Sequence, residues 1–316
     1  MKTPLDVILD ELCESAEMPA QASLYHLSNL EAEGIERVRE AWPCIPVELQ
    51  RRVVQRLVEI AEADFEINFG AVLRLFMEDD DAEIRVAAVE GLWEDEDVRM
   101  VPLLVTRLRE DSSVAVRATA ATSLGRFTLL VELEKIRPQP RALVYEALLT
   151  TCQDAEEQIE ARRRALESLA YVGNETVAEL IREAYAAPEE KMRISAIFSM
   201  GRSADTRWKR EVQQELLSPN PELRYEAATA CGKLQLSEAI SELEGLIEDA
   251  DPEVQEAALW ALGQIGGEQA REILKRYCYS KDEAVKAAAN AALDELDFLH
   301  GDLSELFSRF IRESDL

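Results

Sequence analysis

Between Asp251 and Gly263 the apolar residues Val254, Ala258, Ala261 and Leu262 recur at the spacing of one helix face. Asp251 is a suitable N-cap, Pro252 suits a first helical position, and Gly263 ends the pattern. The pattern returns six more times, anchored on the first apolar residue of a helix: Ile84, Val116, Ala161, Met192, Leu223, Val254 and Val285. Successive anchors are 32, 45 and then four times 31 residues apart. Four residues past each stands alanine: Ala88, Ala120, Ala165, Ala196, Ala227, Ala258 and Ala289. Seven past, the residue is small: Gly91, Ser123, Ser168, Ser199, Ala230, Ala261 and Ala292. Three before lies a capping candidate: Asp81, Ser113, Gln158, Glu189, Asn220, Asp251 and Asp282. Another amphipathic helix precedes the anchor, as at Val101 to Leu108, Val177 to Ala184, Val212 to Leu217, Ala239 to Ile247 and Ala270 to Tyr277. A period in the thirties with two helices per unit predicts an all-α solenoid whose small residues let neighbouring units stack closely.

Three stretches depart from the period. Residues 1–66 are helical but irregular and read as a cap with a degenerate first repeat. Pro4 suits a first turn, and Ser28 with Glu31 forms a candidate capping box. Pro43 should stop one helix at Trp42, and Pro46 should open another that turns Leu49, Val53, Leu57 and Ile60 inward. The regular array covers 67–296. Its 45-residue step holds an insertion near 127–140, expected either to extend a helix and loop over one face or to protrude as a contact. In the tail, 297–316, Asp302 and Glu305 could cap a short helix carrying Leu303, Leu306, Phe307, Phe310 and Ile311. That helix is read either as a lid on the open end of the array or as a docking segment.

Glu83-Ile84-Arg85, Ala115-Val116-Arg117 and Glu222-Leu223-Arg224, each followed by its alanine, resemble the HEAT-repeat family, as does the segment from Asp251 to Gly266. The resemblance spans about 67–296, and within the family the chain looks similar to acidic single-chain bacterial HEAT proteins without a catalytic domain. It implies a right-handed α-α superhelix of about seven helix pairs whose second helices line the inner surface. It also implies that Arg85, Arg117, Arg162, Arg193 and Arg224, continued by Gln255 and Lys286, form a polar ladder between successive repeats. A cationic groove for an anionic ligand is the rival reading of that row.

Charge then narrows the partners. Among 316 residues, 63 are acidic and 35 are lysine or arginine, a formal net charge of −28. Such a surface repels nucleic-acid phosphates and anionic lipid, and suits either solubility or a cationic protein partner. No run approaches 18 apolar residues, so no membrane span is expected. Cys13, Cys44, Cys152, Cys231 and Cys278 are odd in number and contain no CxxC pair; they are expected as buried thiols in a cytoplasmic protein.

Catalytic chemistry is hard to assemble. His26 and His300 lie far apart in sequence, no phosphate loop is present, and acidic runs such as Asp79-Asp80-Asp81 sit where helices are capped. No catalytic, cofactor or metal residue is therefore assigned. A register ten past each anchor is more informative: Glu94, Arg126, Tyr171, Arg202, Lys233, Gln264 and Glu295. Its middle is cationic and aromatic, with Trp93, Arg207 and Trp208 nearby and Phe198 and Trp260 six past their anchors. Trp93, Arg126, Tyr171, Phe198, Arg202, Arg207, Trp208 and Trp260 are the partner-binding candidates, against the alternative that the aromatic ones are ordinary core. The expected function is a non-catalytic scaffold, monomeric, holding a protein partner with a basic segment. The alternative is a HEAT-fold enzyme or cofactor lyase acting on a protein-bound ligand.

Overall fold

The computed structural model describes residues 2–300 except 16, 65 and 138. Among them every regular element is a helix, and the chain folds as an α-solenoid of antiparallel helix pairs. The tail helix expected within 302–311 lies outside the described residues. Two compact units divide the chain, Met1–Leu169 and Ala170–Leu316.

The first unit contains α1 (Pro4–Glu14), α2 (Gln21–Leu24), α3 (Ala32–Ala41), α4 (Val47–Ala63), α5 (Gly70–Phe76), α6 (Ala82–Glu90), α7 (Met100–Glu110), α8 (Val114–Glu132), α9 (Arg141–Gln153) and α10 (Ile159–Leu169). The second contains α11 (Glu175–Tyr185), α12 (Glu190–Arg202), α13 (Lys209–Glu215), α14 (Pro221–Lys233), α15 (Ile240–Leu246), α16 (Pro252–Ile265), α17 (Gly267–Tyr277) and α18 (Glu283–His300). The even-numbered helices from α6 to α18 are the second helices of the repeats. All seven anchors and all seven alanines four past them are buried, so one register supplies the spine of both cores.

The stacking surface has a second half that the period did not reveal. Nine past the anchor, four repeats carry glycine, and each faces the small residue at position seven of the next repeat. A methyl group on Gly125 would stand 2.6 Å from Ser168 Oγ; on Gly201, 2.8 Å from Ala230 Cα; on Gly263, 2.8 Å from the Ala292 carbonyl. Close approach of the helix backbones there leaves no room for a side chain. Gly263 is thus a packing residue, not the helix end: α16 continues to Ile265 and stops at Gly266, whose φ of 69° suits glycine.

Helix starts follow the capping rule in part. Asp81, Asn220, Asp251 and Asp282 accept hydrogen bonds from backbone N–H groups two or three residues on. Ser113 and Glu189 make no side-chain cap. Near the N-terminus the capping box is formed by Thr3 and Asp6. Ser28 does not cap α3; its hydroxyl donates to the Asn68 carbonyl instead.

The insertion is absorbed in three places: α8 runs to 19 residues, a loop follows, and α9 has 13 residues. Contrary to the expectation from apolar runs, α8 is long and apolar enough to cross a membrane, with a mean hydropathy of 1.2; yet 56% of that window is buried within the protein, as in a core helix. The cysteines also depart from expectation. Cys13 and Cys44 are joined in a disulfide, with Cα atoms 5.5 Å apart. Cys152 and Cys231 are buried thiols, whereas Cys278 is half-buried.

Candidate functional site

The arginine row one past the anchors is built twice into the fold. In Arg85, Arg117 and Arg224 the guanidinium reaches back to the loop before its own helix and forward to an acid of the next repeat. Arg85 donates through Nη1 to the Asp79 carbonyl (2.7 Å) and, bidentately, to Asp111 (2.7 and 2.8 Å). Arg117 donates to the Asp111 carbonyl (2.8 Å) and to both carboxylate oxygens of Glu157. Arg224 donates to the Ser218 carbonyl (2.9 Å) and to both oxygens of Asp249, each at 2.7 Å. In these three a backward bond spans six residues, and Gln255 keeps it, donating to the Asp249 carbonyl at 2.6 Å. The planar fork of arginine matches a carboxylate in a way glutamine cannot.

Two members are weaker. Arg193 makes one bond of 3.2 Å to Glu215, which also accepts from the Tyr185 hydroxyl, and Arg162 donates to the Cys152 carbonyl at 3.4 Å. Arg51 on α4, which sequence reasoning passed over, holds Asp81 bidentately and extends the row into the first repeat. Its sequence signal is faint, since the anchor position before it is the polar Gln50. Burial, the largest single influence, would raise the Asp111 carboxyl, but the Arg85 hydrogen bonds, the Ser113 N–H and the charges of Arg85 and Arg107 together outweigh it and hold Asp111 below the usual carboxylate range. Asp249 is held low chiefly by Arg224.

The partner-binding candidates divide. In the second unit Tyr171, Phe198, Arg202 and Lys233 come together: the Arg202 guanidinium lies 4.1 Å from the Phe198 ring centre and 4.8 Å from that of Tyr171, and the Lys233 ammonium lies 5.1 Å from Phe198. Burial and the neighbouring Arg202 lower the Lys233 pKa. Trp260 is half-buried and lies over Gly232, where a methyl group would come within 2.7 Å of its ring.

The remaining candidates do not join them. Trp208 is 3% exposed and belongs to the core, so its expected role in partner binding is corrected. Arg207 is tied to Asp205 and Glu175 at 2.6 and 2.8 Å. In the first unit Trp93 is 55% exposed after α6. Arg126 donates to the neighbouring Leu92 carbonyl and stacks on buried Phe127; its Nε and Nη2 have no partner among the described residues.

A groove of about 720 Å³ between α14 and α16 was not expected. Tyr225 and Trp260 line it together with Glu222, Glu226, Glu253 and Glu256. These residues sit one before and two, three and six past the anchors, where the repeats vary in residue type. Among the described residues no group of three or more His, Cys, Asp or Glu is placed to hold a metal ion.

The HEAT-repeat model matches residues 71–149 and 210–294, just over half of the chain. The chain belongs to the HEAT-repeat family. No curated protein matches it in sequence. Among solved structures, this HEAT protein resembles a chain of the Kap95:Nup1 complex at 13% identity and a TM-score of 0.51, over 98% of this chain and 47% of that one. YibA of E. coli is similar at 16% identity and a TM-score of 0.46, covering 94% and 98% of the two chains. A chain of the CpcE–CpcF phycocyanin lyase complex from Nostoc sp. PCC7120 is similar at 19% identity and 0.43, covering 60% and 74%. At these identities the likenesses concern the fold.

Proposed function

We propose that this HEAT protein is a non-catalytic scaffold that holds a protein partner through a basic segment laid along its second helices. The observation that carries the reading is where the arginines go. Arg85, Arg117, Arg193 and Arg224 are bonded to acids of the chain itself. A cationic groove is therefore not what the row builds, and acids exceed lysine and arginine by 28 over the whole chain. An extended, repetitive and acidic surface attracts basic segments and accelerates their encounter.

The test is affinity capture from the protein's own cells in low and high salt, with the absorption spectrum of the purified chain recorded alongside. The scaffold reading expects basic proteins to be retained at low salt and released at high salt, because screening shortens electrostatic reach. Capture of neutral or acidic partners only, or a chromophore that co-purifies stoichiometrically, would contradict it.

A further inference from the structure

The groove between α14 and α16 has a composition that the scaffold reading does not require. We propose that it is a docking site for an arginine side chain of the partner segment, held over Trp260 and Tyr225 with its guanidinium toward Glu253 and Glu256. The proposal rests on the scaffold reading and names the chemistry of one position within it.

Three observations converge. The groove is a real concavity of about 720 Å³ between two second helices. Its aromatic residues are not fully consumed by the core: Tyr225 is 37% exposed and Trp260 half-buried. Gly232 makes the placement of Trp260 possible, since any Cβ there would collide with the indole and push it off α14. Four glutamates line the same space, and burial together with Glu226, Glu253 and Glu256 raises the Tyr225 phenol above its ordinary pKa, which places those carboxylates around the ring.

Charge complementarity selects the occupant. The one lysine lining the groove, Lys233, has its ammonium over Phe198, and Asp251 is engaged in capping α16. Glu253 and Glu256 are exposed on the opposite helix. A carboxylate-bearing ligand would be repelled, and a purely apolar one would strand the glutamates against hydrocarbon. A guanidinium on an aliphatic stem satisfies both parts: it stacks on aromatic faces, and its fork donates to carboxylates.

The experiment uses the full chain with its four tryptophans replaced biosynthetically by fluorotryptophan, each fluorine signal assigned by a single Trp→Phe replacement. The probe is a blocked tri-arginine peptide, with tri-glutamate as control. The Trp260 signal is expected to move with tri-arginine while those of Trp42, Trp93 and Trp208 stay. Glu253→Gln/Glu256→Gln should weaken binding by about tenfold. The charge-matched Glu179→Gln/Glu183→Gln on α11 should change it by less than about twofold. All four glutamates are exposed, so neither double variant perturbs the core; Tyr225→Leu gives an independent check on the aromatic part. If tri-arginine binds but Trp260 is silent, or both double variants weaken binding equally, the groove is overturned and the acidic scaffold stands. If tri-arginine does not bind at all, both fall.

Discussion

Gly232 on α14 faces Ala261 on α16 with no room for a methyl group: a Cβ on Gly232 would lie 2.9 Å from the Ala261 Cα. The same pairing of glycine nine past one anchor with a small residue seven past the next recurs at Gly125, Gly201 and Gly263. It sets how closely successive second helices stack, and through that the width of any groove between them.

Gly263→Ala therefore tests the seam. Alanine normally stabilises a helix interior by about 1 kcal/mol over glycine, but overpacking costs about 1–3 kcal/mol. A net loss of about 1 kcal/mol is expected in denaturant unfolding. On α15, a methyl group added to Gly245 would meet nothing within 4 Å, so Gly245→Ala should instead be neutral or stabilising by up to about 1 kcal/mol. Equal effects at the two sites would argue against the seam.

The Arg85–Asp111 pair is buried on both sides, with side chains 8% and 1% exposed. Arg85→Ala removes both short bonds to the buried Asp111 carboxylate, leaving it Arg107 at 3.4 Å and the Ser113 N–H at 2.9 Å, and should cost about 3 kcal/mol. Arg207→Ala removes only exposed pairs and should melt close to the parent chain. Calorimetric melting of the two variants separates these cases.

Acid should act through the same carboxylates. Asp81, Asp111 and Asp249 are held below the ordinary carboxylate range, and Asp97 is lowered to about 2 chiefly by Arg99. A depressed carboxyl contributes stability above its unfolded pKa and loses it as pH falls through the folded one. Stability is expected to drop between about pH 4 and pH 2, with a shallower drop in Asp111→Asn. Above that window, neutralising part of the −28 charge relieves self-repulsion, so mild acidification toward about pH 5 should not destabilise. Unfolding curves across pH check both.

Thiol chemistry gives a separate check. Burial pushes the Cys231 thiol up to about 12, and Cys278 is the half-buried one. Alkylation of the native chain should modify Cys278 first, since reactivity needs both exposure and thiolate. In denaturant without reductant three thiols should react, and after reduction all five, as mass spectrometry would show.

Much of this fold was legible because one residue type performs one task at one spacing. An alanine four past each anchor is visible as a column, and its burial follows. The glycine partner of the seam was not legible as such, because a helical glycine gains meaning only when the next helix lies against it. Arg85, Arg117 and Arg224 stood in a column too, and the structure supplies what the column lacked, the six-residue backward bond and which acid each arginine faces. The placement of the aromatic candidates was read less well. Tyr171, Arg202 and Phe198 do gather, but Trp208 turns into the core, because aromatic type alone does not say which way a side chain faces. The groove of Tyr225 and Trp260 went unseen because its parts sit on neighbouring repeats at different registers.

Hydrogen exchange of the full chain with and without an arginine-rich peptide addresses the central claim most directly. The account predicts slowed exchange in α14 and α16, reaching α12, with α13, α15 and α17 unchanged. Protection on α13, α15 and α17 instead, or none at a peptide concentration that saturates binding, would contradict it.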